Sequence, residues 1–121
     1  MIEITTKAGA LISDPIWVDF MHEDWDGNLP LEFPGTLRDL ANAGVVLREG
    51  IQLVLYEEDT DDLGRVDDLI ALATVQFDHG EGRWVASGWE PTFHCSDLDS
   101  PQQEVYKAAR AAQRDRRRRD S

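Results

Sequence analysis

Over three stretches in the middle of the chain, apolar and polar positions alternate with a period of two, the period of strands that turn one face to a core. In 51–56, Ile51, Leu53 and Leu55 alternate with Gln52, Val54 and Tyr56. In 69–77, Leu69, Ala71, Ala73, Val75 and Phe77 share one side, with Ile70, Leu72, Thr74 and Gln76 on the other. A polar loop, Asp78-His79-Gly80-Glu81-Gly82, leads into Arg83-Trp84-Val85-Ala86-Ser87, and its length and glycines suit a hairpin with one residue at positive φ. Together these segments predict a three-stranded antiparallel meander.

The flanks are read the same way. Met1-Ile2-Glu3-Ile4 alternates like a strand, Ala8-Gly9-Ala10 reads as a loose connection, and Ile16 to Met21 alternates again. Asp26-Gly27 is turn chemistry. Leu29, Leu31 and Phe33 alternate, but Pro30 lacks an N–H and restricts that segment to an edge or a merely extended stretch. Thr36 reads as a helix N-cap with Asp39 completing a capping box and Gly44 ending a helix over 36–43, after which 45–47 is expected to be extended. Thr92 to Cys95 predicts a short closing strand. Ser100-Pro101 opens a C-terminal helix of good helix formers. Its apolar stripe (Val105, Tyr106, Ala109, Ala112) is thin, so it is expected to dock weakly or project, with Arg116 to Arg119 frayed. The pattern as a whole predicts a mainly β (α+β) fold. We expect a small antiparallel β-barrel or curled sheet of five to six strands, with a short helix near 36–43 and a C-terminal helix. One acidic β-rich domain is expected over 1–100, followed by the helix and basic tail over 101–121.

Composition narrows the function classes. A chain of 121 residues can bury a core without disulfides or metals, and its single cysteine, Cys95, excludes an intramolecular disulfide framework. No apolar run approaches 18 residues and no signal-like start is seen, so a cytoplasmic protein with no membrane association is expected. The net charge of −12 is unevenly spread: 6 basic residues stand against 22 acidic ones over 1–109, and 6 against 2 over 110–121, a body of −16 and a tail of +4. Such a field favours basic protein partners and repels nucleic acid except at the tail, Arg110 to Arg119.

Between the first two strands of the meander lie seven carboxylates, Glu57, Glu58, Asp59, Asp61, Asp62, Asp67 and Asp68. Buried unpaired, they would cost several kcal/mol each, so the segment is expected to be a solvated excursion that meets water, cations or a basic partner. As an EF-hand loop starting at Asp59 it places Asp61 third and Gly64 sixth. Leu63 then falls fifth and Ile70 twelfth, where a bidentate glutamate is required, so that frame fails. His94 and Cys95 are adjacent and would point to opposite faces of a strand, and no second cysteine supplies zinc spacing; Cys95 is expected to be a buried small hydrophobe. With no phosphate-cradling glycine loop and no nucleophile elbow, neither a catalytic residue nor a cofactor or metal is expected.

Val54-Leu55-Tyr56-Glu57-Glu58, then Asp67-Asp68-Leu69, then Trp84-Val85-Ala86 stand in the order of the strand, acidic loop and tryptophan of SH3 domains, which this stretch of about forty residues resembles. No diverging turn follows Leu69, and Pro91 alone stands where the family's proline-containing element would be. The resemblance implies a small barrel and, through Tyr56 and Trp84, a surface for proline-rich peptides. The expectation is a non-enzymatic acidic protein-binding module, of inhibitor or immunity type, that engages a basic partner. Its partner-binding residues would be the seven carboxylates with Tyr56 and Trp84. The alternatives are a metal-dependent or Cys/His enzyme and a nucleic-acid-associated protein acting through its basic tail. A monomer or a homodimer fits either class.

Overall fold

The computed structural model describes residues 3–6, 9–12 and 14–120, with side chains over 14–119. Two short strands, β1 (Glu3–Thr6) and β2 (Gly9–Ile12), pair as an antiparallel hairpin. Gly9 and Ala10 therefore belong to a strand rather than to a loose connection, while Met1, Ile2 and Ala8, to which the sequence reading also assigned roles, lie outside the described residues.

The meander is present as read: β5 (Gln52–Glu57), β6 (Leu69–Asp78) and β7 (Arg83–Ser87) pair antiparallel, with Gly82 at φ 69° closing the β6–β7 hairpin. Around it, β3 (Ile16–Trp17) runs parallel to β5, β4 (Leu29–Pro30) forms the far edge against β7, and β8 (Phe93–His94) pairs with the start of β6. The sheet order is β3-β5-β6-β7-β4 with β8 on β6, a curled half-barrel of six strands. Pro30 sits at the edge, where its missing N–H is harmless. The strand expected over Ile16 to Met21 pairs only at its start and turns at Phe20-Met21, because the Asp19 carboxylate accepts from the backbone N–H of Met21.

Helix α1 (Pro34–Ala43) begins two residues earlier than the capping pattern implied. Phe33 is its N-cap and contributes no side-chain acceptor; Pro34 supplies the helical φ instead. Thr36 and Asp39 lie inside the helix, facing the sheet: the Thr36 hydroxyl donates to the Trp17 carbonyl at 2.6 Å and Asp39 accepts from the Trp17 N–H at 3.0 Å. Gly44 ends the helix at φ 69°, as read. Residues 45–47 form no strand.

Two apolar clusters form, one on each face of the sheet. The first takes the residues the alternation selected, Leu53, Leu55, Ala71, Ala73 and Val75, together with Ile16, Val18, Leu40 and Trp89. The second, built from Val54, Tyr56, Ile70, Cys95 and Tyr106, lies on the supposedly outward face and is covered by α2 (Ser100–Asp120). Asp99 caps α2, its carboxylate accepting from the Gln102 N–H at 2.9 Å, one residue before the expected Ser100. The helix runs unbroken past Arg116 to Arg119, so the expected fraying is replaced by docking, with Arg117 paired to Asp39 at 2.6 Å.

Candidate functional site

The seven carboxylates of 57–68 separate into two groups. Asp68 is buried, accepting from the Tyr106 hydroxyl at 2.7 Å and from Arg110 Nε at 3.2 Å. Glu58, exposed, takes Arg110 Nη2 at 3.4 Å. The Arg110 guanidinium is 2 % exposed, lies 3.9 Å from the Tyr56 ring centroid and also donates to Gln113, whose amide in turn donates to the Pro15 carbonyl. Tyr56 is fully buried, its hydroxyl shared between Asp39 and Arg117. The solvated-excursion reading is therefore corrected for Asp68, and Tyr56 and Asp68 leave the set of residues able to touch a partner. Both lie beneath α2, where the chain's own arginines meet them.

Asp59, Asp61, Asp62 and Asp67 stay on a loop that is ordered by its own bonds. Thr60 bridges to Val66, Asp61 accepts from the Leu63 and Arg65 backbones and from Arg65 Nε, and Asp67 holds Ser96 through two bonds. Asp59 meets His94 Nε2 at 2.9 Å. The hydrogen bond to His94, reinforced by the Thr60 N–H, holds the Asp59 carboxyl below its ordinary range, and the same bond raises His94. Glu57 is the exception: burial, with repulsion from Asp19 and Asp59, pushes it up although the Phe20 N–H donates to it. This electrostatic proximity joins the 57–68 loop to a second acidic segment, 19–26.

That second segment exposes a tryptophan. Trp25 is fully exposed at the tip of the turn, with Met21 nearly so, among Glu23, Asp24 and Asp26. The turn is fixed from below, because Asp24 accepts from the backbones of Asp26 and Asn28 and the buried Trp89 donates its indole N–H to Gly27 O at 2.7 Å. The 57–68 loop likewise exposes Leu63 and Val66. Trp84 is half-buried, packing edge-on against Phe77 on the face opposite Tyr56, so these two do not form the groove that the SH3 resemblance implied.

Cys95 is buried and burial raises its thiol, while His94 is engaged by Asp59, His22 by Asp19 and His79 lies against Phe77. Among the described residues no group of three or more His, Cys, Asp or Glu side chains is placed to hold a metal ion, and no helix is long and apolar enough to cross a membrane. Comparison with protein-family models, with curated proteins and with solved structures finds no match to this chain.

Proposed function

We propose that this chain is a non-enzymatic binding module that presents carboxylates and exposed apolar tips to a basic protein partner. One observation carries the reading: both acidic loops hold large bare apolar side chains, Met21 and Trp25 in one, Leu63 and Val66 in the other, on backbones already fixed by internal hydrogen bonds. Apolar anchors inside a charged rim, with little left to order on association, suit a protein interface, and tryptophan is the residue most enriched among binding hot spots. The more specific form is an inhibitor or immunity-type protein whose carboxylates occupy a basic cleft that otherwise takes phosphates. Its support is that Arg110, Arg116 and Arg117 are paired with the body's own acids, while the loop carboxylates Glu23, Asp26 and Asp62 form no ion pair among the described residues. The tail reading for nucleic acid draws on Arg114, Arg118 and Arg119, since Arg110 is enclosed.

The test is affinity capture at low and moderate salt with the intact chain, Trp25→Ala, and a Glu23→Gln/Asp26→Asn/Asp62→Asn variant, none of whose changed side chains holds the fold. The expected result is a basic protein retained by the intact chain, released by moderate salt, and bound at least about thirtyfold more weakly by Trp25→Ala, the size of a hot-spot loss. Equal capture by all three chains sinks the reading.

A further inference from the structure

A cleft of about 280 Å³ opens where the first turn of α1, the Trp17 side chain and the last turns of α2 meet. Its apolar wall is Trp17 with Phe33 edge-on at 6.0 Å between ring centroids. The indole is held hard against α1: a Cβ added at Gly35 would stand 3.1 Å from Trp17 Cε3, so only glycine allows this approach without displacement. The backbone behind the ring is fixed on both sides, by Asp39 at the Trp17 N–H and by Thr36 at its carbonyl. Backbone-anchored in this way, Trp17 gives the cleft a preformed aromatic wall.

The charge of this cleft runs against that of the molecule. Arg38 and Arg117 line it, against the single carboxylate of Glu58. Glu58 is already met by Arg110 at 3.4 Å, whereas Arg38 forms no ion pair with any described residue in a chain of net charge −12. Arg117 spends Nη2 on Asp39 and the Tyr56 hydroxyl and its Nε is enclosed, so it borders the cleft as a held charge, and Arg38 is the exposed donor. Pro34 and Gly35, the opening residues of α1, border the same space, and no side chain caps them, so the positive end of the helix dipole adds to the two guanidinium groups.

We propose that this cleft binds a small organic carboxylate with a flat apolar body, the ring lying against Trp17 and the carboxylate meeting Arg38 in the positive field that Arg117 and the start of α1 supply. The planar guanidinium fork fits a carboxylate in a way a point charge does not. The acidic surface elsewhere does not prevent this: at about 0.15 M salt the screening length is roughly 8 Å, so distant carboxylates are damped while a contact with Arg38 is not. An aromatic carboxylate can come as a free small molecule or as the C-terminus of a peptide ending in an aromatic residue, and both present the same chemistry.

The intact chain, labelled with nitrogen-15, is titrated at about 0.15 M salt with benzoate, its neutral counterpart benzamide, acetate, and the tripeptide Gly-Gly-Phe, following the Trp17 indole and Gly35 amide signals. Benzoate is expected to shift both signals saturably, with benzamide and acetate at least about tenfold weaker, since each lacks one half of the recognised group. Arg38→Ala, an exposed position with no partner to lose, is expected to weaken benzoate by a similar factor, and Arg114→Ala, exposed elsewhere on α2, to leave it unchanged. Tighter binding of Gly-Gly-Phe than of benzoate assigns the site to peptide ends, and the reverse assigns it to free carboxylates. Absence of a saturable shift, equal response to benzamide, or full retention of binding in Arg38→Ala overturns the proposal.

Discussion

At the scale of single residues, Arg110 shows how an acidic body holds a basic helix. Removing a guanidinium from water is costly, and the cost is offset here only because every side of it is met: Asp68 and Glu58 on one edge, Gln113 on another, the Tyr56 ring beneath. Asp68→Ala leaves that cation enclosed without its main counter-ion and is expected to cost about 3–5 kcal/mol in urea unfolding. Tyr106→Phe, which removes one donor to the same carboxylate, is expected to cost about 1.5–3 kcal/mol. Equal, small losses in the two variants would mean that the pair is solvated in solution. This arrangement was hard to read from the sequence because apolar spacing marks only a thin stripe along 101–121. Tyr106, Arg110, Gln113 and Arg117 share one helical face by their spacing, and that face is polar. A clue was present in the strands, whose "outward" positions Val54, Tyr56, Ile70 and Leu72 are nearly all apolar, the mark of a sheet covered on both faces. The Thr36–Asp39 pattern misled for a related reason: short polar side chains three apart fit a cap locally, and only the fold decides whether they turn to their own helix or to Trp17.

Among the elements, the acidic loop and β8 are joined by a bond that responds to pH. His94 is raised by Asp59, so its contribution is fully present below its ordinary value of 6.5 and disappears as pH rises through its raised folded value. Asp59 is lowered, so its contribution is present above its ordinary 3.8 and disappears as pH falls through the lowered value. The loop is therefore held to β8 most firmly between these limits, in mildly acidic solution. An NMR titration of the His94 ring is expected to give a pKa above that of a free histidine, returning toward 6.5 in Asp59→Asn; an unchanged value in that variant refutes the pairing. The strands of the meander and the turn at Gly27 were legible because period-two alternation and turn chemistry are local. The parallel pairing of β3 with β5 was not, since two residues carry no period at all.

For the molecule as a whole, the question is which charges salt reaches. The pairs that fix α2 are enclosed, Arg110–Asp68 almost wholly and Arg117–Asp39 on the carboxylate side, whereas most loop carboxylates face water. Salt screens the mutual repulsion of the exposed acids more than it weakens the enclosed pairs. The urea midpoint is accordingly expected to rise when sodium chloride is added from low to moderate concentration; a fall would show that exposed ion pairs hold the helix. Overall charge asymmetry could be counted from the sequence, but its consequence could not, because the count does not say that Arg110, Arg116 and Arg117 are paired within the chain.

The docking of α2 also sets an order of events in time. Asp68 waits for an arginine 42 residues downstream and Asp39 for one 78 residues downstream. A ribosome delivers the half-barrel first, with these two acids uncompensated and the Tyr56 ring open to solvent, and supplies their counter-charges only with α2. Completion of the fold thus waits for α2, and a chain stalled before Arg110 would offer quality-control proteases a body that has its strands but lacks its lock.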